Sequence, residues 1–325
     1  MPFAIITYFL KGAEMTLSEY FYNDFYKNLF GKTWPKWVGA VVLALLNILL
    51  FLYIMPLGGI YPAIADWGIW TYKLVGLDIT PPWGSLQPPH LSIISVLSVS
   101  IMLGVLTAAL LSKQFKLRKD TVGGYVQGFL GGTLMGIGSF IVGACILGGF
   151  YSSIMALSLS GFYMMIGLIA GGYAGGKLMV WQGRKKAEKI LLDFKVVPKD
   201  TVSKDYKSIQ PKIGIIVVIV LLVLSLIYFL KGMNLFGGII LFGAAFGIVF
   251  QRSAFCLTGA FREIFTTKSN GMIRNVILSL LIGVIGFSII KANGFRSANM
   301  FVLPSGWHSI IGGIIFGFGM VITGG

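Results

Sequence analysis

The chain carries two cysteines, and both close the same glycine frame. Cys145 ends the run Gly132, Gly136, Gly138, Gly143, and Gly148 follows three residues later. Cys256 follows Gly243 and Gly247 and precedes Gly259. A shift of 111 residues superposes Gly132 on Gly243, Gly136 on Gly247, Cys145 on Cys256 and Gly148 on Gly259. A shift of 181 residues lays Gly313, Gly317, Gly319 and Gly324 on Gly132, Gly136, Gly138 and Gly143, and the sequence stops at Gly325, one residue before that copy would reach a cysteine.

A buried cysteine is ordinarily an inert small hydrophobe, whereas a thiol beside a positive group is a soft nucleophile and a weak donor. Recurrence at one place in two copies argues for the second role, with thiols lining one path. Gly143, Gly148 and Gly259 can bend the chain, bare its N–H groups and start a short helix whose N-terminus draws an anion. The pairs Gly132/Gly136, Gly243/Gly247 and Gly313/Gly317 have the spacing that lets helix backbones pack closely in a membrane. Arg252 and Arg262 bracket Cys256 in QRSAFCLTGAFRE. An arginine near membrane depth is costly and reads as functional, although Arg262 could equally pair with Glu263 or a lipid headgroup. Cys145, Cys256, Gly143, Gly148, Gly259, Arg252 and Arg262 are therefore the expected substrate-path residues, with no catalytic set and no metal ligands.

The elements that must hold these residues follow from composition. The chain is 56% hydrophobic and 11% charged, against about 25% charged in soluble domains. Several apolar runs reach the ~20 residues that cross the hydrocarbon core. The fold class is all-α: a polytopic membrane protein with two pseudo-symmetric halves containing broken or re-entrant short helices. A net charge of +15 on a soluble surface would suit nucleic acid. Here the basic residues gather in loops between apolar runs, the positive-inside pattern, so the partner is the bilayer and not nucleic acid. Two separated cysteines make no disulfide scaffold, and the only histidines, His90 and His308, sit near segment starts. No GxxxxGK[ST] loop is present, so no nucleotide and no other cofactor is expected.

The whole chain, 1–325, reads as a single transmembrane domain. Residues 1–36 form an N-terminal cytoplasmic or interfacial segment with no evident cleavable signal peptide. The first half, 37–181, opens with a crossing from Trp37 to Met55 and a Trp- and Pro-rich stretch, Leu57 to Pro89, that reads as an outer-face loop. A second crossing, His90 to Leu111, precedes a basic run on the cytoplasmic side, Lys113, Lys116, Arg118 and Lys119. Gly123 to Ser160 is too long for one helix and must make one net crossing, most simply as two short half-helices broken near Cys145. Gly161 to Trp181 then returns to a basic cytoplasmic linker, 182–212, with nine lysines or arginines against four acids.

The second half, 213–325, begins with a crossing from Ile213 to Leu230. A broken segment from Phe236 to Phe261 follows, interrupted around Arg252 to Cys256, and Lys268 and Arg274 read as inside. A crossing from Ile273 to Ile290 leads to the third glycine copy, whose last motif reads as truncated. Lys291 and Arg296 fall on the outer side, against the charge bias.

GSFIVGACILGG around Cys145, QRSAFCLTGAFRE around Cys256 and GGIIFGFGMVITGG at the end resemble the YeeE/YedE family of sulfur-transport membrane proteins. The resemblance implies an inner-membrane, multi-pass permease, not an enzyme, that takes up thiosulfate or a related sulfur anion. It makes Cys145 and Cys256 two of the motif cysteines. A small cytoplasmic sulfur-carrier protein is a candidate partner. A selenium-compound transporter and a membrane sulfurtransferase working through a cysteine persulfide are the alternatives.

Overall fold

Long apolar runs without proline or charge become helices because a backbone in hydrocarbon must satisfy its own N–H and C=O groups. The computed structural model describes residues 29–77, 86–116, 121–193, 209–266 and 269–323, with side chains of the helix ending at residue 193 described as far as 184. In chain order the helices are α1 (Lys36–Tyr53), α2 (Tyr61–Leu74), α3 (Ile93–Leu111), α4 (Val122–Val142), the short α5 (Ile146–Met155), α6 (Leu159–Asp193), α7 (Gln210–Leu230), α8 (Asn234–Ser253), the short α9 (Leu257–Thr266), α10 (Gly271–Ala292) and α11 (Trp307–Ile322). Counting α8 with α9, seven spans among the described residues are long and apolar enough to cross a membrane. The protein is an all-α polytopic membrane protein.

Contacts between helix ends sort the termini onto two faces. On the near face, where α1 begins, Gln251 at the end of α8 donates to Gln114 beyond α3 (3.0 Å), and Gln127 of α4 donates to Gln182 of α6 (3.1 Å). On the far face, Tyr228 of α7 donates to the His90 carbonyl before α3 (2.9 Å), and Ser158 before α6 accepts from the Leu303 N–H before α11 (3.2 Å). It follows that α4 runs from near to far and α8 from far to near. The two helices that lead into the cysteine breaks therefore have opposite senses.

Glycines set how closely these helices approach. On α6, a Cβ at Gly167, Gly171 or Gly175 would press on the α11 backbone around Ile310, Ile314 and Phe318. On α8, Gly243 and Gly247 meet α3 at Leu97 to Val105, and Gly313 and Gly317 of α11 meet α6 at Met164 and Leu168. On α4 the contact is made by Gly131 and Gly138, against Gly319 and Phe316 of α11, while Gly132 and Gly136 meet nothing within 4 Å and are exposed. The helical period explains the difference. Positions 131 and 138 are seven apart, two turns on one face, and 132 and 136 lie on the neighbouring one.

Three sequence expectations change. The stretch Leu57 to Pro89 is not simply a loop, because Tyr61–Leu74 is helical. The Gly123 to Ser160 region is broken near Cys145, but its first arm is a 21-residue helix and not a half-helix. The helix after it continues to Asp193, into the expected linker; RKKAEKILLD holds good helix formers and no glycine or proline. Residues 1–28 of the N-terminal segment and 194–208 of the linker lie outside the described residues.

Lys291 and Arg296, which oppose the charge bias, cap helices. Lys291 donates to the Ala156 carbonyl at the end of α5 (2.8 Å), and Arg296 to the Leu52 carbonyl at the end of α1 (2.7 Å). Each cation meets carbonyls left without an intrahelical partner, at the negative end of a helix dipole.

Candidate functional site

Each cysteine stands at the start of a short helix, after a left-handed residue that ends a long one. α4 stops at Gly143 (φ +78°), and Cys145 is extended (φ −83°, ψ −177°) before α5 begins. α8 stops at Ala254 (φ 49°, ψ 34°), and Cys256 precedes α9. The 111-residue shift places Gly143 on Ala254, so the same backbone turn is built once with glycine and once with alanine. Alanine holds that conformation at a cost of about 1–2 kcal/mol.

The first seven residues of α5, Ile146–Ser152, form a π-helix, a widened turn often found at functional sites. Ser153 donates to the Gly148 carbonyl (2.7 Å). α5 runs outward to the far face, where Lys291 caps it. α9 runs toward the near face, with Phe265 packed on Gly172 and Gly176 of α6. The two short helices therefore run toward opposite faces. The two short helices meet through Phe150 and Phe261, edge to face, with ring centroids 5.4 Å apart and planes at 74°.

Both thiols are half-buried and outside any disulfide, but their surroundings differ. Cys256 caps α9: its sulfur accepts the Gly259 N–H at 3.2 Å, as an N-cap oxygen would. Cys145 makes no such bond. Its sulfur lies against Gly59 (φ +86°), where a Cβ would overlap it, and a Cβ on Gly148 would strike the Gly58 carbonyl. The chain reaches this point because residues 54–60 fold back along α1, with the Leu57 N–H donating to Asn47 Oδ1 at 2.8 Å.

Arg252 is fully buried, and its donors reach the carbonyls of Leu29 (3.0 Å) and Lys32, before α1. The Trp34 N–H returns a bond to the Arg252 carbonyl (3.0 Å). In this structure the side chain thus holds the entry to α1. Arg262 is half-buried on α9. The sequence ends the first crossing at Pro56 and Gly58-Gly59 but does not reveal Asn47, Ser152 or the inward course of residues 54–60. The available signals are an asparagine inside an apolar run and the Gly58-Gly59 pair. No group of three or more His, Cys, Asp or Glu that could hold a metal occurs among the described residues.

A family model described as sulphur transport matches residues 2–174 and 252–325, spanning both cysteines and the Gly58-Gly59 turn. The chain is 26% identical over 269 residues to a probable transporter YedE of Escherichia coli K12, covering 80% of this chain and 65% of that protein, just under two thirds of its length. It is 25% identical over 311 residues to the Salmonella typhimurium probable transporter YedE, covering 91% and 75%. Over 85 residues, 26% of this chain and 23% of the relative, it is 39% identical to the Escherichia coli thiosulfate transporter TsuA. No solved structure matches the chain.

Proposed function

This chain belongs to the YeeE/YedE-like sulphur-transport family, and we propose that it carries thiosulfate or a related sulfur anion across the inner membrane along a path past Cys145 and Cys256. The observation that carries this reading is the meeting of two short helices that run toward opposite faces, with a thiol at the start of each. Helix N-termini carry roughly half a positive charge from their dipoles and present N–H groups to an anion without placing full cations in hydrocarbon. Thiols add weak donors, so an anion is held strongly enough to enter and weakly enough to leave. Neutral thiols suit this role, since a thiolate would repel a dianion at low dielectric.

The two helix–break–helix units of opposite sense support a pseudo-symmetric arrangement around that path, as in transporters built from inverted repeats. The near face carries Lys36, Lys113, Lys116, Arg184, Lys212 and Arg274, which supports a cytoplasmic assignment for it. The test is uptake of labelled thiosulfate into liposomes holding the purified chain, with sulfite, sulfate and selenite as competitors. Uptake above protein-free liposomes with competition by unlabelled thiosulfate is expected. Uptake indistinguishable from protein-free liposomes would remove the transport reading, and stronger competition by selenite would move the substrate to selenium compounds.

A further inference from the structure

We propose that Asn47 is a positioning residue for the Cys145 thiol, latching the 54–60 turn to the short helix α5. Asn47 is fully buried on α1, and both ends of its amide are engaged. Its Oδ1 accepts the Leu57 N–H at 2.8 Å. Its Nδ2 donates to Ser152 Oγ at 3.2 Å and lies 3.2 Å from Met155 Sδ. Ser152 closes the ring by donating to the Leu57 carbonyl at 2.7 Å. Ser152 and Leu57 are fully buried as well. One side chain thus ties α1, the turn that follows it and α5 together.

The turn it holds puts Gly59 against Cys145 Sγ and Gly58 against Gly148. Opening the ring takes these partners from the Leu57 N–H and carbonyl in the interior, where a lost hydrogen bond is costly. The latch therefore fixes how much of the Cys145 sulfur is open to an approaching molecule. The consequence for transport rests on Cys145 lying on the path.

The experiment follows alkylation of both native thiols by iodoacetamide in the detergent-solubilised full chain, with each cysteine peptide quantified by mass spectrometry. In Asn47→Leu the rate at Cys145 should rise about tenfold or more, as losing such bonds makes local opening more frequent. Cys256 in the same molecules should keep its rate. Ser152→Ala, which leaves the Asn47–Leu57 bond, should give a smaller rise. The double variant should fall short of the sum of the two single effects, because the groups act as one network. An unchanged rate at Cys145 overturns the proposal, and so does an equal rise at Cys256, which would report general loosening. If Cys145→Ala transports at the parental rate, the path reading fails while the alkylation result still decides the latch.

Discussion

Gly171→Leu should remove most of the folded protein. Gly171 lies on α6 where a Cβ would overlap the Ile314 carbonyl of α11, with Gly167 and Gly175 making similar approaches one turn away on either side. A leucine must push the helices apart along the whole contact, losing the packing that holds membrane helices together. Overpacking costs about 1–3 kcal/mol and occasionally more, and a clash with a backbone carbonyl that cannot turn aside belongs at the upper end. Size-exclusion profiles and thermal unfolding in detergent measure it. Gly132→Leu is the matched control: Gly132 is exposed with nothing within 4 Å, and the change should stay within about 0.5 kcal/mol. Equal losses from both variants would refute the assignment of the α4 and α6 faces.

Cys256→Ala should abolish or strongly reduce uptake while leaving the protein folded. The thiol caps α9 through the Gly259 N–H, and losing an N-cap costs about 1 kcal/mol, too little to unfold a protein of this size. Serine should restore the cap but only part of the uptake, because a hydroxyl is a harder, more tightly hydrated group. Cys145→Ala should reduce uptake less severely. Flux per folded molecule is the quantity to compare, and parental flux in Cys256→Ala would return that cysteine to packing.

The cysteine-centred breaks were legible because a glycine frame ending in a thiol occurs twice, and both breaks fall where that frame ends. The faces of the glycines were less legible. A shift that aligns two copies fixes the sequence frame but not which side of each helix meets a neighbour, so Gly131 and Gly138 replace Gly132 and Gly136 on α4. Pro56 and Gly58-Gly59 mark the end of the first crossing, but the inward fold of 54–60 is hidden because tryptophans, prolines and glycines have the composition of any outer loop. Its inward course depends on Asn47, a contact across ten residues that no local pattern reveals. Lys291 and Arg296 looked misplaced because charge bias is counted along the sequence, while their partners, Ala156 and Leu52, lie far along the chain.

If one anion path passes both thiols, a bound anion shields each of them, and substrate protection reads this out. Alkylation of Cys145 and Cys256 is followed in the full chain with thiosulfate, with sulfate at equal ionic strength, and with neither. Thiosulfate is expected to slow the reaction at both cysteines, with a smaller effect from sulfate. Unchanged rates at both cysteines under saturating thiosulfate would contradict it.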